Sequence, residues 1–249
     1  DTQVEITDGG VATIETIEDT TFELSLSDIS NGDVTIEVSG NVVLNPNPTI
    51  KLVSPTGYTN QQIVVDCSNL TIDGDDGLGN NIEIDLTNQP NYKGLIHLNN
   101  GIDTTTIQNI TMDVSNSTLD TTCGFICKGN TNNIGSLSIS NCNVTSSGDL
   151  TIGGDNYQGG IMGGINQNNT GPISITNCNV ISSGNLTIGG GGGDYYQGGI
   201  LGGDNNNNTG LISITNCNVT SSGNLTIGGG GGYYIDYNQG GIMGGDNQF

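Results

Sequence analysis

Apolar residues along this chain come in short clusters that alternate with Ser, Thr and Asn, as in "LSISNCNV", "ISITNCNV" and "NLTI". Alternation with a period of two marks strands with one buried face. No helical period lasts for three turns anywhere, so the pattern predicts an all-β chain. The clusters also recur. One series places an Asn between two alternations, at Asn69, Asn109, Asn141, Asn177 and Asn216, with Asn41 as a possible start. A second reads "GLIHL", "GFICK", "GGIMG", "GGILG" and "GGIMG", marked by Ile96, Ile126, Ile161, Ile200 and Ile242. Two markers keep step while the loops between them vary, which is the behaviour of a solenoid.

Strict alternation through "LSISNCNV" would bury Asn141 and expose Cys142 and Val144. The phase must therefore change at the Asn, which acts as a corner. Asn is the non-Gly residue that most readily takes a left-handed backbone, and stacked corner amides can bond to one another as a ladder. The expected ladder is Asn69, Asn109, Asn141, Asn177 and Asn216, with Cys142, Cys178 and Cys217 stacked beside it. The same frame puts Leu70, Ile110, Cys142, Cys178 and Cys217 in one inward column, and Ile72, Met112, Val144, Val180 and Val219 in another. Helical repeats are excluded by the Gly, Thr and Asn content, and leucine-rich repeats by the sparse Leu. The reading is a single-stranded right-handed parallel β-helix over residues 41–249, with residues 1–40 as an amino-terminal β cap or strand-exchange segment. Phe249 interrupts a rung, so further rungs or stacking of another subunit are expected there.

The motif Gly-Gly-Ile-Met-Gly-Gly, an Asn-rich loop and then Ile-Thr-Asn-Cys-Asn-Val resembles the GLUG-type repeat, over roughly residues 124–249. Weaker rungs back to about residue 41 resemble the wider pectin-lyase-like β-helix family. The resemblance implies a surface protein, of the adhesin-passenger or large-virus kind.

Composition narrows the function. The formal net charge is −22, with no Arg, three Lys and one His, so binding to a phosphate backbone, which draws on Lys and Arg, is excluded. No apolar run is long enough to span a membrane. Lyases of the resembling fold abstract a proton with Arg or Lys, which this chain scarcely has. Asp73, Asp75 and Asp76 form a dense carboxylate cluster with His97 on a later strand. Calcium there is weighed against a solvated acidic turn, and the turn is preferred. No cofactor or structural metal is expected, and catalysis is not.

The loop between marker Asn and following Gly-Gly-Ile lengthens, the separation growing through 20, 23 and 26 residues in the last three rungs. It adds Tyr157, then Tyr195 and Tyr196, then Tyr233, Tyr234 and Tyr237. Such a Tyr/Gly surface suits either contact with a partner or cover for its own rung. Among the nine Asn-x-Thr sequons, Asn116, Asn143, Asn168, Asn207 and Asn218 are the candidate glycan sites, as loop or outward positions. Cys142, Cys178 and Cys217 are read as buried thiols. Cys123 and Cys127 are too far apart in an extended strand to bond, and the state of Cys67 is left open. The functional expectation is an extracellular structural or adhesive β-helix, at a cell or virion surface, that self-associates into a fibre or filament and can meet a glycan or host receptor. The alternative is a carbohydrate-active β-helix using Asp73, Asp75 and His97.

Overall fold

The computed structural model describes strands within 3–66 by their backbone. It describes residues 70–75, 78–98, 104–120, 122–129, 132, 135–153, 157–164, 166–189, 196–205, 207–228 and 241–244 with their side chains. The chain is all-β, a parallel β-solenoid whose strands, numbered in chain order, stack in four sheets. The first sheet holds β1 (Gln3–Thr7), β2 (Val11–Thr16), β4 (Thr35–Ser39), β6 (Gln62–Asp66), β9 (Ile96–Leu98), β12 (Cys127–Lys128) and β16 (Met162–Gly163). The second holds β3 (Thr21–Ser25), β5 (Thr49–Val53), β7 (Leu70–Asp73), β10 (Thr105–Gln108), β13 (Leu137–Ser140), β17 (Ile173–Thr176) and β20 (Ile212–Thr215). The third holds β8 (Ile82–Asp85), β11 (Ile110–Asp113), β14 (Asn143–Ser146), β18 (Asn179–Ser182) and β21 (Asn218–Ser221), and the fourth β15 (Leu150–Ile152), β19 (Leu186–Ile188) and β22 (Leu225–Ile227). Among the described strands pairing is parallel except for β1, which lies antiparallel on β2, and an isolated antiparallel bridge joins Asp75 to Asn81. Among the described residues no helix is long and apolar enough to cross a membrane.

Register decides which residues share a column. Ile72, Ile107, Ile139, Ile175 and Ile214 are successive partners through the second sheet. In the third sheet Ile84, Met112, Val144, Val180 and Val219 follow one another. Nearly every member of these columns is fully buried, and Ile214 and Val219 are partly buried in the last described tier. Each apolar side chain thus packs on an apolar counterpart one strand spacing away, about 4.8 Å.

This register corrects the columns drawn from sequence. Leu70 and Ile72 belong with Thr105 and Ile107, before the corner, and the positions assigned to them after it are filled by Ile82 and Ile84. The ladder place assigned to Asn69 accordingly does not follow from its "NLTI" context; Asn69 itself lies outside the described residues. The corner of that tier comes at Gly74, whose N–H donates to the Gln108 carbonyl at 3.0 Å. Residues 75–81 are an insertion there, and it hides the equivalence in the sequence.

The corners that follow are Asn109, Asn141, Asn177 and Asn216, all left-handed, with φ between 54 and 61°. The amides of the first three form a chain of hydrogen bonds. Asn177 Nδ2 donates to Asn141 Oδ1 at 3.3 Å, Asn141 Nδ2 to Asn109 Oδ1 at 3.2 Å, and Asn109 Nδ2 to Asp73 Oδ1 at 2.8 Å. A charged acceptor therefore ends the ladder where the corner is Gly. The Gly-Gly marker has its own steric reason. A β-carbon on Gly160 would collide with the Gly199 carbonyl and with Val180, and one on Gly199 would collide with the Gly241 carbonyl and Val219.

Replacing Asn177 by Ala removes the ladder amide and leaves a β-carbon in a left-handed turn, whereas Gly removes only the amide. Chemical denaturation should show Asn177→Ala less stable by about 1–2 kcal/mol, with Asn177→Gly losing less. Equal losses for the two would separate the corner from its backbone requirement.

Candidate functional site

The corner Cys residues do more than fill space. After each left-handed Asn the next backbone N–H turns inward, where a strand partner is missing. Cys142 N donates to Cys178 Sγ at 3.4 Å, and Cys178 N to Cys217 Sγ at 3.4 Å. Each thiol donates in turn to the carbonyl two residues back, Ser140, Thr176 and Thr215, at 3.3–3.4 Å. Sulfur is both acceptor and donor at a corner that would otherwise bury unpaired backbone. Cys123, Cys127, Cys142 and Cys178 are buried free thiols and Cys217 is half-buried. Burial pushes Cys142 and Cys127 well up and Cys123 up to about 11, so these thiols stay protonated at neutral pH. Cys67 lies outside the described residues. A thiol reagent applied to the folded protein should modify Cys217 ahead of Cys142 and Cys178, as peptide mass spectrometry would read. Equal rates would contradict the stacked arrangement.

Polar ladders occur that the sequence did not announce. On the outer face Asn218 Nδ2 donates to Asn179 Oδ1 at 2.9 Å, Asn179 Nδ2 to Asn143 Oδ1 at 2.7 Å and Asn143 Nδ2 to Thr111 Oγ1 at 3.3 Å. Inside, Asn166 Nδ2 donates to Asn205 Oδ1 at 3.1 Å, and Asn208 Nδ2 to the Asn166 carbonyl at 2.6 Å. Asn166, Asn205 and Asn208 are buried. Only their equivalent places in "INQNNT" and "DNNNNT" hint at this, since the same letters in a loop would read as solvated.

The candidate glycan positions divide accordingly. Asn116, Asn168 and Asn207 are exposed turn residues with φ of 56–57°. Asn143 and Asn218 belong to the outer ladder, so a glycan on either would displace a ladder hydrogen bond. Of the tyrosines, Tyr157 and Tyr196 stack across neighbouring tiers with ring centroids 5.3 Å apart and planes 24° apart. Both are half-buried, so the pair covers its own tiers as well as presenting an edge. Tyr195, Tyr233, Tyr234 and Tyr237 lie outside the described residues.

The acidic turn is internally organised. Asp75 N donates to Asp73 Oδ1 at 3.0 Å and Gly79 N to Asp75 Oδ1 at 3.0 Å, in addition to the Asn109 bond already described. Asp76 lies outside the described residues. Among the described residues no three His, Cys, Asp or Glu side chains are grouped to hold a metal. Asp73 ends β7 in the second sheet, whereas His97 is on β9 in the first, so the two do not share a face.

A different acidic group does converge. Glu83 and Asp85 alternate outward on β8, and Asp113 on the neighbouring β11 is in register with Asp85. With Ile84, Thr111 and Thr145 they line a cavity of about 360 Å³ on the outside of the third sheet. Hydrogen bonds from Thr87, side chain and backbone, hold the Asp85 carboxyl below its ordinary value. Asp113 Oδ1 accepts from the Ser115 N–H at 3.0 Å and from its hydroxyl at 2.5 Å. Sequence inspection missed this group because "NIEID" and "ITMD" become neighbours only once the insertion at 75–81 is discounted.

On the first sheet the cations gather. His97 and Lys128 are register partners on β9 and β12, and His97 Nε2 lies 2.6 Å from the Lys93 carbonyl, which fixes it as the protonated ring nitrogen. Burial lowers the His97 pKa to about 4, with Lys128 and Lys93 adding to that effect and the hydrogen bond to Lys93 opposing it. The native state therefore binds fewer protons than the unfolded chain between the ordinary value of 6.5 and about 4. Its contribution is complete above 6.5 and is lost as pH falls towards 4, up to about 3 kcal/mol. Denaturation midpoints measured across that window should fall with acid in the native protein and fall less steeply in His97→Gln.

Family models, curated proteins and solved structures were compared with this chain, and none matches.

Proposed function

We propose that this chain is an extracellular structural or adhesive β-solenoid that builds a surface fibre or filament. The observation that carries the reading is the repetition of whole tiers in register, inside and out. Ile-Ser-Ile-Thr pairs with Ile-Ser-Ile-Thr through β17 and β20, and Leu-Thr-Ile with Leu-Thr-Ile through β15, β19 and β22. A catalytic or receptor pocket needs one tier to differ sharply from its neighbours, whereas a spacer or fibre needs tiers to be alike. The likeness to GLUG-type repeats belongs to this proposal, through Gly159-Gly160-Ile161, Gly198-Gly199-Ile200 and the Asn-Cys-Asn corners. Exposed sequons at Asn116, Asn168 and Asn207 fit a surface location, with Asn168 and Asn207 in equivalent places one tier apart.

The acidic cavity favours the second reading, a carbohydrate-active β-solenoid. Asp85 and Asp113 stand on adjacent strands with hydroxyls beside them, and paired carboxylates are what glycoside hydrolysis requires. The readings part in two measurements. Electron microscopy of the purified protein, and immunolabelling of intact native particles or cells, should show filaments or a surface array. Monodisperse particles that release reducing sugars from polysaccharide, with release abolished in Asp113→Asn, would overturn the structural reading in favour of the hydrolase.

A further inference from the structure

We propose that copies of this solenoid pack side by side, with their axes parallel and their tiers level, through contact of the Lys93–His97–Lys128 strip of one copy with the Glu83–Asp85–Asp113 cavity of the next. This inference deepens the structural role and rests on it.

Charge is unevenly placed on this chain. The chain carries a formal charge of −22, yet two of its three lysines and its only histidine lie together. Lys93 is exposed and Lys128 half-exposed. Asp120 is one carboxylate nearby, since it and Lys128 act in opposite senses on the Cys123 thiol. The complementary feature is on a different sheet. Glu83 and Asp85 are exposed around a cavity of about 360 Å³, roomy enough for a lysine side chain and rimmed by the hydroxyls of Thr111 and Thr145. Far-field repulsion between two such anions is screened beyond about 8 Å at physiological salt, so the groups that touch decide the contact.

Tier height supplies the register. Glu83 and Asp85 belong to the tier of β8 and β9, which also carries Lys93 and His97. Asp113 belongs to the next tier, that of β11 and β12, which carries Lys128. Asp85 and Asp113 are separated by one strand spacing, and so are His97 and Lys128, about 4.8 Å in each case. Two level, parallel solenoids therefore bring Lys93 to Glu83 and Asp85 in the same contact that brings Lys128 to Asp113. An antiparallel neighbour would reverse the order of the tiers. Because the two surfaces lie on different sheets, the contact is heterologous and leaves a free basic strip and a free acidic cavity on every pair, so it propagates. Each exposed ion pair is weak by itself, and repetition along an assembly gives the contact its strength.

The test uses the whole chain in two charge-reversed forms, Lys93→Glu/Lys128→Glu and Glu83→Lys/Asp85→Lys, each checked for its β spectrum by circular dichroism. Sedimentation at low and physiological ionic strength should show the native protein associating and each variant alone monomeric. Each variant keeps one intact half of the contact and its reversed half is complementary to the other's, so an equimolar mixture should recover the association that each variant alone has lost. Carbodiimide coupling between isotopically labelled and unlabelled native chains should join Lys93 or Lys128 to Glu83, Asp85 or Asp113. With so few lysines, the linked peptides are readily assigned.

Filaments unchanged by the lysine reversals would overturn this lateral contact while leaving the structural role intact. Monomeric native protein that captures an acidic polysaccharide through Lys93 and Lys128 would overturn it too, and would assign the strip to a polyanion. Monomers that cleave polysaccharide would overturn both readings.

Discussion

Everything in this molecule depends on each residue having its counterpart directly above and below it, one parallel strand spacing away. That constraint turns side-chain interactions that are weak singly into columns. Ile packs on Ile, Val on Val, and one Asn amide on the next, with Asn109 and Asn141 each donating to one neighbour and accepting from the other. The chain can be poor in aromatics and still bury a continuous core, because no tier has to close a core by itself. The rigid requirement for Gly at 159–160 and 198–199 follows from the same closeness, since backbone passes backbone with no room for a β-carbon.

Corners bear the cost of this arrangement. A strand can repeat indefinitely, but a closed tier must turn, and each turn interrupts alternation and strands a backbone N–H. The Asn-Cys pair resolves both problems together: Asn takes the left-handed backbone, and the following Cys sulfur accepts the N–H from the tier before it. Thiols in this role act through hydrogen bonds: burial raises the pKa of Cys142 and of Cys217, while the hydrogen bond from Cys142 lowers that of Cys178. Cys is conspicuous here because a corner needs a small apolar side chain that can also accept a hydrogen bond, and sulfur meets both needs.

Charge is handled differently. The described acidic residues lie on the outside, where alternation puts them, and their repulsion costs little while they remain solvated and screened. The exceptional feature is the small basic strip on the first sheet, set at the same tier heights as the acidic cavity on the third. A solenoid offers such matching readily, because every face of a tier shares one height, and positions far apart in the chain are read out on a common ruler.

The strand grammar, the repeat, the phase change at Asn141, Asn177 and Asn216, and the burial of Cys142 and Cys178 were legible in the sequence because each depends on spacing within one tier. The columns were not fully legible. "SNLTI" at 68–72 looks like the segment after a corner, yet Leu70 and Ile72 stand before one, since only pairing between strands reveals that residues 75–81 are inserted at the bend. The buried amides of Asn166, Asn205 and Asn208, the cavity formed by Glu83, Asp85 and Asp113, and the meeting of His97 with Lys128 likewise rest on contacts between residues about 30 to 40 positions apart. Local sequence determined how each tier alternates and where it turns. Only the stack decided which residues became neighbours, because the length of every intervening loop shifts the count while the strand register holds the heights constant.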